Sequence, residues 1–143
     1  MTGNPGPSVV ELKIPSKPEF VGVARLTILG VASRMPFTYD EVEDLRLAVG
    51  EACTTAVERA KRANKADSEI TIMSEIAGDK LTIQVKDCAG PAPEMPEKGE
   101  SASELDEQGL GALLMELLVD KFKVESTPDG GTLVTMVKYA GRT

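Results

Sequence analysis

Residues 38–60 read TYDEVEDLRLAVGEACTTAVERA, and this stretch decides the fold. Thr38 with Glu41 three places on is a capping box, in which the hydroxyl and the carboxylate each satisfy a backbone amide at a helix start. Val42, Leu45, Val49, Cys53, Ala56 and Ala60 then recur at three- and four-residue spacing, one apolar stripe along a long amphipathic helix. Glu51 and Thr55 are four apart and project from one side of that helix, opposite the stripe. On spacing alone that side reads first as a solvated face.

Upstream, Val9 to Ile14 alternates apolar and polar residues, a first strand. Ser16-Lys-Pro-Glu19 reads as a second capping box with Pro in the first turn. It opens a helix with Phe20, Val23, Ala24, Ile28 and Val31 on its stripe, ending near Met35-Pro36. Downstream, Glu69 to Met73 and Lys80 to Lys86 are strands joined at Gly78-Asp79. Residues 88–108 are rich in Pro, Gly and acids, and read as a mobile loop. Leu110, Leu113, Leu114, Leu117 and Leu118 mark another helical face. Phe122 to Glu125 and Leu133 to Tyr139 are strands turned at Thr127-Pro-Asp-Gly-Gly131. These elements predict an α/β two-layer sandwich, helices on one face of a mixed, mainly antiparallel sheet. One domain over 9–141 follows a flexible tail at 1–8.

The composition narrows the function classes. With 143 residues, 41% hydrophobic and 27% charged, the chain is long enough for a proper core, and at 3% aromatic with no Trp that core is aliphatic. A formal charge of -7 argues against a nucleic-acid partner, which demands a basic surface, and leaves basic protein partners open. Cys53 and Cys88 make neither a disulfide framework nor a zinc site, and read as small residues packed in a reducing cytosol. The absence of any histidine removes Ser-His-Asp and Cys-His catalysis and a phospho-accepting histidine. Residues 1–8 show no signal-peptide pattern, and no apolar run reaches membrane-spanning length, so the expected location is the cytoplasm, with no membrane partner.

Three further pieces stand in order behind the long helix: Asp87 at a strand end, Gly109-Leu110-Gly111 at a helix start, and Gly131-Thr132 opening the last strand. Alone, each has an ordinary reading as a turn or a hairpin closure. Together they supply an acceptor for an adenine amine and backbone amides at a helix N-terminus for phosphates. With Phe20-Val-Gly-Val-Ala-Arg-Leu-Thr27, Tyr39 to Leu45 and Glu51-Ala-Cys-Thr-Thr-Ala-Val57, the chain resembles the GHKL (Bergerat) ATP-binding fold. Its nearest likeness within that group is to the RsbW-like anti-sigma-B factors, which are also serine kinases.

That resemblance implies ATP or ADP with Mg2+ as cofactors, an alternative sigma factor and a STAS-domain anti-anti-sigma protein as partners, and a homodimer. It makes Glu51 the general base toward a serine hydroxyl, and Asp87 the adenine anchor. Gly90, Gly109, Leu110, Gly111 and Thr132 become nucleotide-binding residues, residues 88–108 the ATP lid, and Arg25 a contact for both protein partners. The chain departs from the family pattern twice. Thr55 stands where the family places a magnesium-binding asparagine, and Ala89 falls where the family has glycine, with Gly90 one place later. Two functions therefore stay open: a kinase that holds a sigma factor and phosphorylates its antagonist, or a sigma-binding module with a vestigial nucleotide pocket.

Overall fold

A computed structural model describes residues 6–90 and 107–141. Strand β1 (Ser8–Pro15) leads through a short 3-10 turn at Pro18–Phe20 into α1 (Val21–Ala32), then α2 (Tyr39–Arg62). Strands β2 (Glu69–Ala77) and β3 (Lys80–Asp87) follow, then α3 (Glu107–Leu118), β4 (Lys121–Ser126) and β5 (Thr132–Tyr139). The sheet order is β1-β2-β3-β5-β4. All four pairings are antiparallel, so the mixed character expected from the sequence is absent among the described residues. Each neighbouring pair is joined by a hairpin or returns through helices, and neither kind of connection here requires a parallel crossover. Most of the expected lid, residues 91–106, and the start of the expected tail lie outside the described residues; Ser8 already belongs to β1.

Period-two alternation puts Ile70, Ile72, Leu81, Ile83, Val85, Val134 and Met136 on one face of the sheet, against the helices. The opposite face carries Glu11, Lys13, Glu75, Lys86 and Lys123, the solvated side of an antiparallel sheet. Helix α2 packs against both α1 and α3. Its Thr38–Glu41 capping box forms as expected, with Thr38 Oγ1 accepting from the Glu41 amide at 3.1 Å and Glu41 accepting from the Thr38 amide at 2.8 Å.

Several local expectations are corrected. Ser16 does not cap a helix: its hydroxyl is buried and bonded to that of Ser68 at 3.1 Å, tying β1 to the approach to β2. Val23 faces solvent, whereas Ala24, Ile28 and Val31 are buried. On α3 the leucine face is only partly the buried one. Leu110, Leu114 and Leu117 are exposed and Leu113 and Leu118 half-buried, while Ala112 and Met115 enter the interior, with Val119 just beyond the helix. Cys53 is fully buried, but Cys88 is exposed. The C-terminal end of α3 is held by the buried Lys138 of β5. Its ammonium donates to the Leu118 carbonyl at 2.9 Å and lies 3.8 Å from the Asp44 carboxylate of α2.

Candidate active site

The site begins where α3 crosses α2. A β-carbon placed on Gly111 would stand 2.5 Å from Oε2 of Glu51 and 3.1 Å from Cγ2 of Thr55. Glycine at 111 leaves room for the Glu51 carboxylate to lie against α3, so the Glu51 and Gly111 segments meet here. Because α3 begins at Glu107, Gly109 and Gly111 lie within its opening turns. A cavity of about 300 Å³ sits at this crossing, lined by Glu51, Thr54 and Glu58 of α2 and by Leu110, Gly111 and Leu114 of α3. That is the lower end of small-ligand pockets. Leu114 was read from the sequence only as part of a helical face, and Thr54 and Glu58 were not singled out. Glu58 could have been, since it follows Glu51 by seven residues and shares its face.

Glu51 is half-buried there. Burial raises its carboxyl above the ordinary glutamate value, the Glu58 carboxylate raises it further, and Arg25 opposes both. A carboxylate so placed is a stronger base than one in water. Thr55 is not on a solvated face: it is buried under α3, because α2 is covered on this side as well as along its apolar stripe. Its hydroxyl donates to the Ala52 carbonyl at 3.0 Å and its methyl points at Gly111. Among the described residues no group of three or more acidic, His or Cys side chains could hold a metal ion. The donors at this crossing, the Glu51 and Glu58 carboxylates and the Thr54 and Thr55 hydroxyls, fall short of the six oxygen ligands magnesium takes, and do not fit a site built by the protein itself.

A second cluster surrounds Asp87, which is 1% exposed at the end of β3. Its Oδ2 accepts from Arg59 of α2 at 2.6 Å, and its Oδ1 accepts from the Ala89 amide at 3.0 Å. Thr132 lies opposite Asp87 in the β3–β5 register, fully buried, and its hydroxyl donates to the Gly90 carbonyl at 2.8 Å. A β-carbon on Gly131 would fall 1.9 Å from the Asp87 carbonyl oxygen, so only glycine permits β5 to start this close to the end of β3. Asp87, Ala89, Gly90 and Thr132 thus form one hydrogen-bonded corner with Gly131 packed against it, and none of them lines the cavity at Glu51. Arg59 is the residue the sequence reading missed. An arginine between Ala56 and Ala60 on the buried side of an amphipathic helix calls for a buried acid, and that was the available signal.

Arg25 of α1 lies across α2. A β-carbon on Gly50 would meet its Nε at 2.3 Å, its Nη2 at 2.8 Å and its Cζ at 2.9 Å. Arg25 also lines a second cavity of about 270 Å³ with Pro18, Val21, Thr54, Val57 and Glu58. Thr54 and Glu58 belong to both cavities, so the two form neighbouring parts of one groove over α2. Below it, burial pushes the Cys53 thiol up to about 12, an inert packed cysteine.

Residues 14–138 match the histidine kinase-like ATPase domain family. The chain is 41% identical to the serine-protein kinase RsbW of Bacillus licheniformis, over 93% of this chain and 86% of that protein. It is 41% identical to serine-protein kinase RsbW of Bacillus subtilis strain 168, over 91% and 84%. The chain belongs to the RsbW family. RsbW of Oceanobacillus iheyensis is 40% identical over 91% of this chain and 85% of its own length. A crystal structure of the RsbU and RsbW domains of a Mycobacterium tuberculosis protein superposes with a TM-score of 0.67, covering 94% of this chain and 33% of that one. At 18% identity that likeness speaks to the fold alone. The α/β sandwich and the RsbW resemblance read from the sequence are both borne out. No helix among the described residues is long and apolar enough to cross a membrane.

Proposed function

We propose that this RsbW-family chain is an anti-sigma factor that sequesters an alternative sigma factor and uses ATP to phosphorylate a serine on a STAS-domain antagonist. The observation that carries this reading is the half-buried Glu51, made more basic by its surroundings, facing the glycine-bearing start of α3 across one cavity. ATP supplies the γ-phosphoryl group. Glu51 accepts the proton of the incoming serine hydroxyl as the serine oxygen bonds to phosphorus and the bond to the leaving ADP breaks. Gly109, Leu110 and Gly111 lie in the opening turns of α3, whose amide end receives the phosphates. Asp87 and Thr132 supply the buried polar corner for the adenine, with Gly90 beside them. New phosphate on the antagonist serine then weakens its contact with the kinase through added charge. Labelled ATP, magnesium and the cognate STAS protein provide the test: serine-linked label that disappears with Glu51→Gln supports the kinase, and none with wild type overturns it.

The alternative is a sigma-binding module without catalysis. Two observations favour it: the Thr55 hydroxyl is committed to Ala52, and both Asp87 carboxylate oxygens already accept hydrogen bonds. Its signature is sigma-factor binding unchanged by nucleotide. In either case Arg25, on the outer helix, is the proposed contact for sigma factor and antagonist. A homodimer in the cytoplasm is the proposed assembly. Its surface would use the edge strand β1 through the exposed Val9 and Val10. Ile14 of the same strand is buried within the subunit and does not contribute.

A further inference from the structure

We infer that Arg25 is a positioning residue for Glu51, seated in a notch that Gly50 leaves in α2. The inference rests on the kinase reading above and adds to it a second role for a residue otherwise assigned to the partner surface. The guanidinium packs over Gly50, the residue immediately before Glu51, closer than a β-carbon at that position would allow. It shares the groove with Thr54 and Glu58, which also line the cavity holding Glu51. An exposed cation therefore stands on the same groove as the proposed base and its acidic neighbour, close enough to act on both through charge without an ion pair.

Among the described residues, two charged groups bear on Glu51. Helix α2 contributes Glu58, α1 contributes Arg25, and the α3 wall contributes Leu110 and Gly111, neither of which titrates. Desolvation and Glu58 disfavour the Glu51 carboxylate, and Arg25 favours it. The base must be ionised to accept a serine proton, yet basic enough to hold it. Arg25 keeps the first requirement met while burial supplies the second. Lysine would retain the charge without the planar group that lies on the Gly50 backbone. The same guanidinium faces outward into the groove, so a partner that engages it also alters the field at Glu51.

The test uses the full chain in four variants: Arg25→Met, Arg25→Lys, Gly50→Ala and the Gly50→Ala/Arg25→Met double. Gly50→Ala removes no charge but places a methyl where the guanidinium rests. It should fold, since the clash is with the end of a flexible side chain and alanine is the better helix former. The Glu51 carboxyl is followed by carbon-13 NMR titration, assigned with Glu51→Gln, alongside the pH profile of phosphoryl transfer. Arg25→Met and Gly50→Ala should each move the Glu51 titration and the rising limb of the rate profile to higher pH. Arg25→Lys should restore part of the shift, and the double variant should go no further than Arg25→Met. A Glu51 titration unmoved by both single changes overturns the inference. Wild type with no transfer, but with the NMR shifts as expected, overturns the kinase reading and supports the Arg25–Glu51 relation.

Discussion

Arg59 donates to the Asp87 carboxylate at 2.6 Å across the α2–β3 junction, and the two side chains are only 10% and 1% exposed. Removing one partner of such a pair strands the other charge in the interior, whereas replacing both with apolar groups is often neutral. Asp87→Asn should therefore cost stability of about 3 kcal/mol, on the order of 10 °C in melting temperature for a chain of this size. Arg59→Met/Asp87→Asn should recover much of that loss. Thermal denaturation followed by circular dichroism checks both. Equal melting of wild type and Asp87→Asn would mean the pair contributes nothing net.

ATP or ADP should raise the melting temperature, with GTP giving little. Binding to the folded state alone adds about 2.7 kcal/mol at a hundredfold excess over the dissociation constant. The Arg59 contact complicates the use of Asp87→Asn as the only control, since that variant starts from a lower baseline. The comparison is the nucleotide-induced shift within each variant, measured by calorimetry. A flat response to millimolar nucleotide would remove ATP from the proposed function.

Two glycines of the site should behave differently when changed to alanine. At Gly131 the new β-carbon meets the backbone carbonyl of Asp87 at 1.9 Å, which cannot yield without separating β5 from β3. At Gly111 the nearest atom is the end of the Glu51 side chain at 2.5 Å, which can swing aside. Gly131→Ala should destabilise the fold by at least 2 kcal/mol, roughly the cost of forcing atoms into a packed interior. Gly111→Ala should leave stability near wild type and reduce phosphoryl transfer by at least tenfold, because the displaced group is the base. Denaturant titration and the labelled-ATP assay separate the two.

The sequence showed the long helix, its Thr38–Glu41 cap and the β4–β5 hairpin, because each rests on local spacing or turn chemistry. It could not show what covers each helix face. Glu51 and Thr55 looked solvated because α3 is far away in sequence, and only the packed structure places Gly111 over them. The leucines of α3 misled for the same reason: the periodicity was real, but contact with α2 selected Ala112 and Met115 for the interior. Arg59 and Arg25 took their meaning from partners on other elements, Asp87 and Gly50, which no spacing along one helix could supply.

Glu51→Gln should abolish phosphoryl transfer and, at neutral pH, raise the melting temperature. The folded-state carboxyl titrates above its ordinary value of 4.5. Stability from the protonated form is therefore fully present below that value, and is lost as pH rises through the folded-state value. Glutamine carries no such penalty. The variant should thus melt higher than wild type above the folded-state titration, and the two should converge below pH 4.5. Melting curves across the acid range check the sign; a variant less stable at pH 7 would contradict it.

Thr55→Asn should raise phosphoryl transfer to the antagonist serine. The present hydroxyl donates to Ala52 from a buried position, and its methyl occupies the space facing Gly111. An asparagine carries its amide oxygen further from the backbone, past the reach of that bond, and threonine and asparagine are close in volume. Magnesium demands near-octahedral oxygen ligands at about 2.0–2.1 Å and takes them largely from phosphates and water, so one added protein oxygen can decide its occupancy. The gain should appear in turnover and in the magnesium concentration at half-maximal rate, measured with saturating ATP. It should require Glu51, so that Glu51→Gln/Thr55→Asn remains inactive. Equal rates and equal magnesium dependence in wild type and Thr55→Asn would show that the threonine suffices, and that its bond to Ala52 does not hinder the reaction.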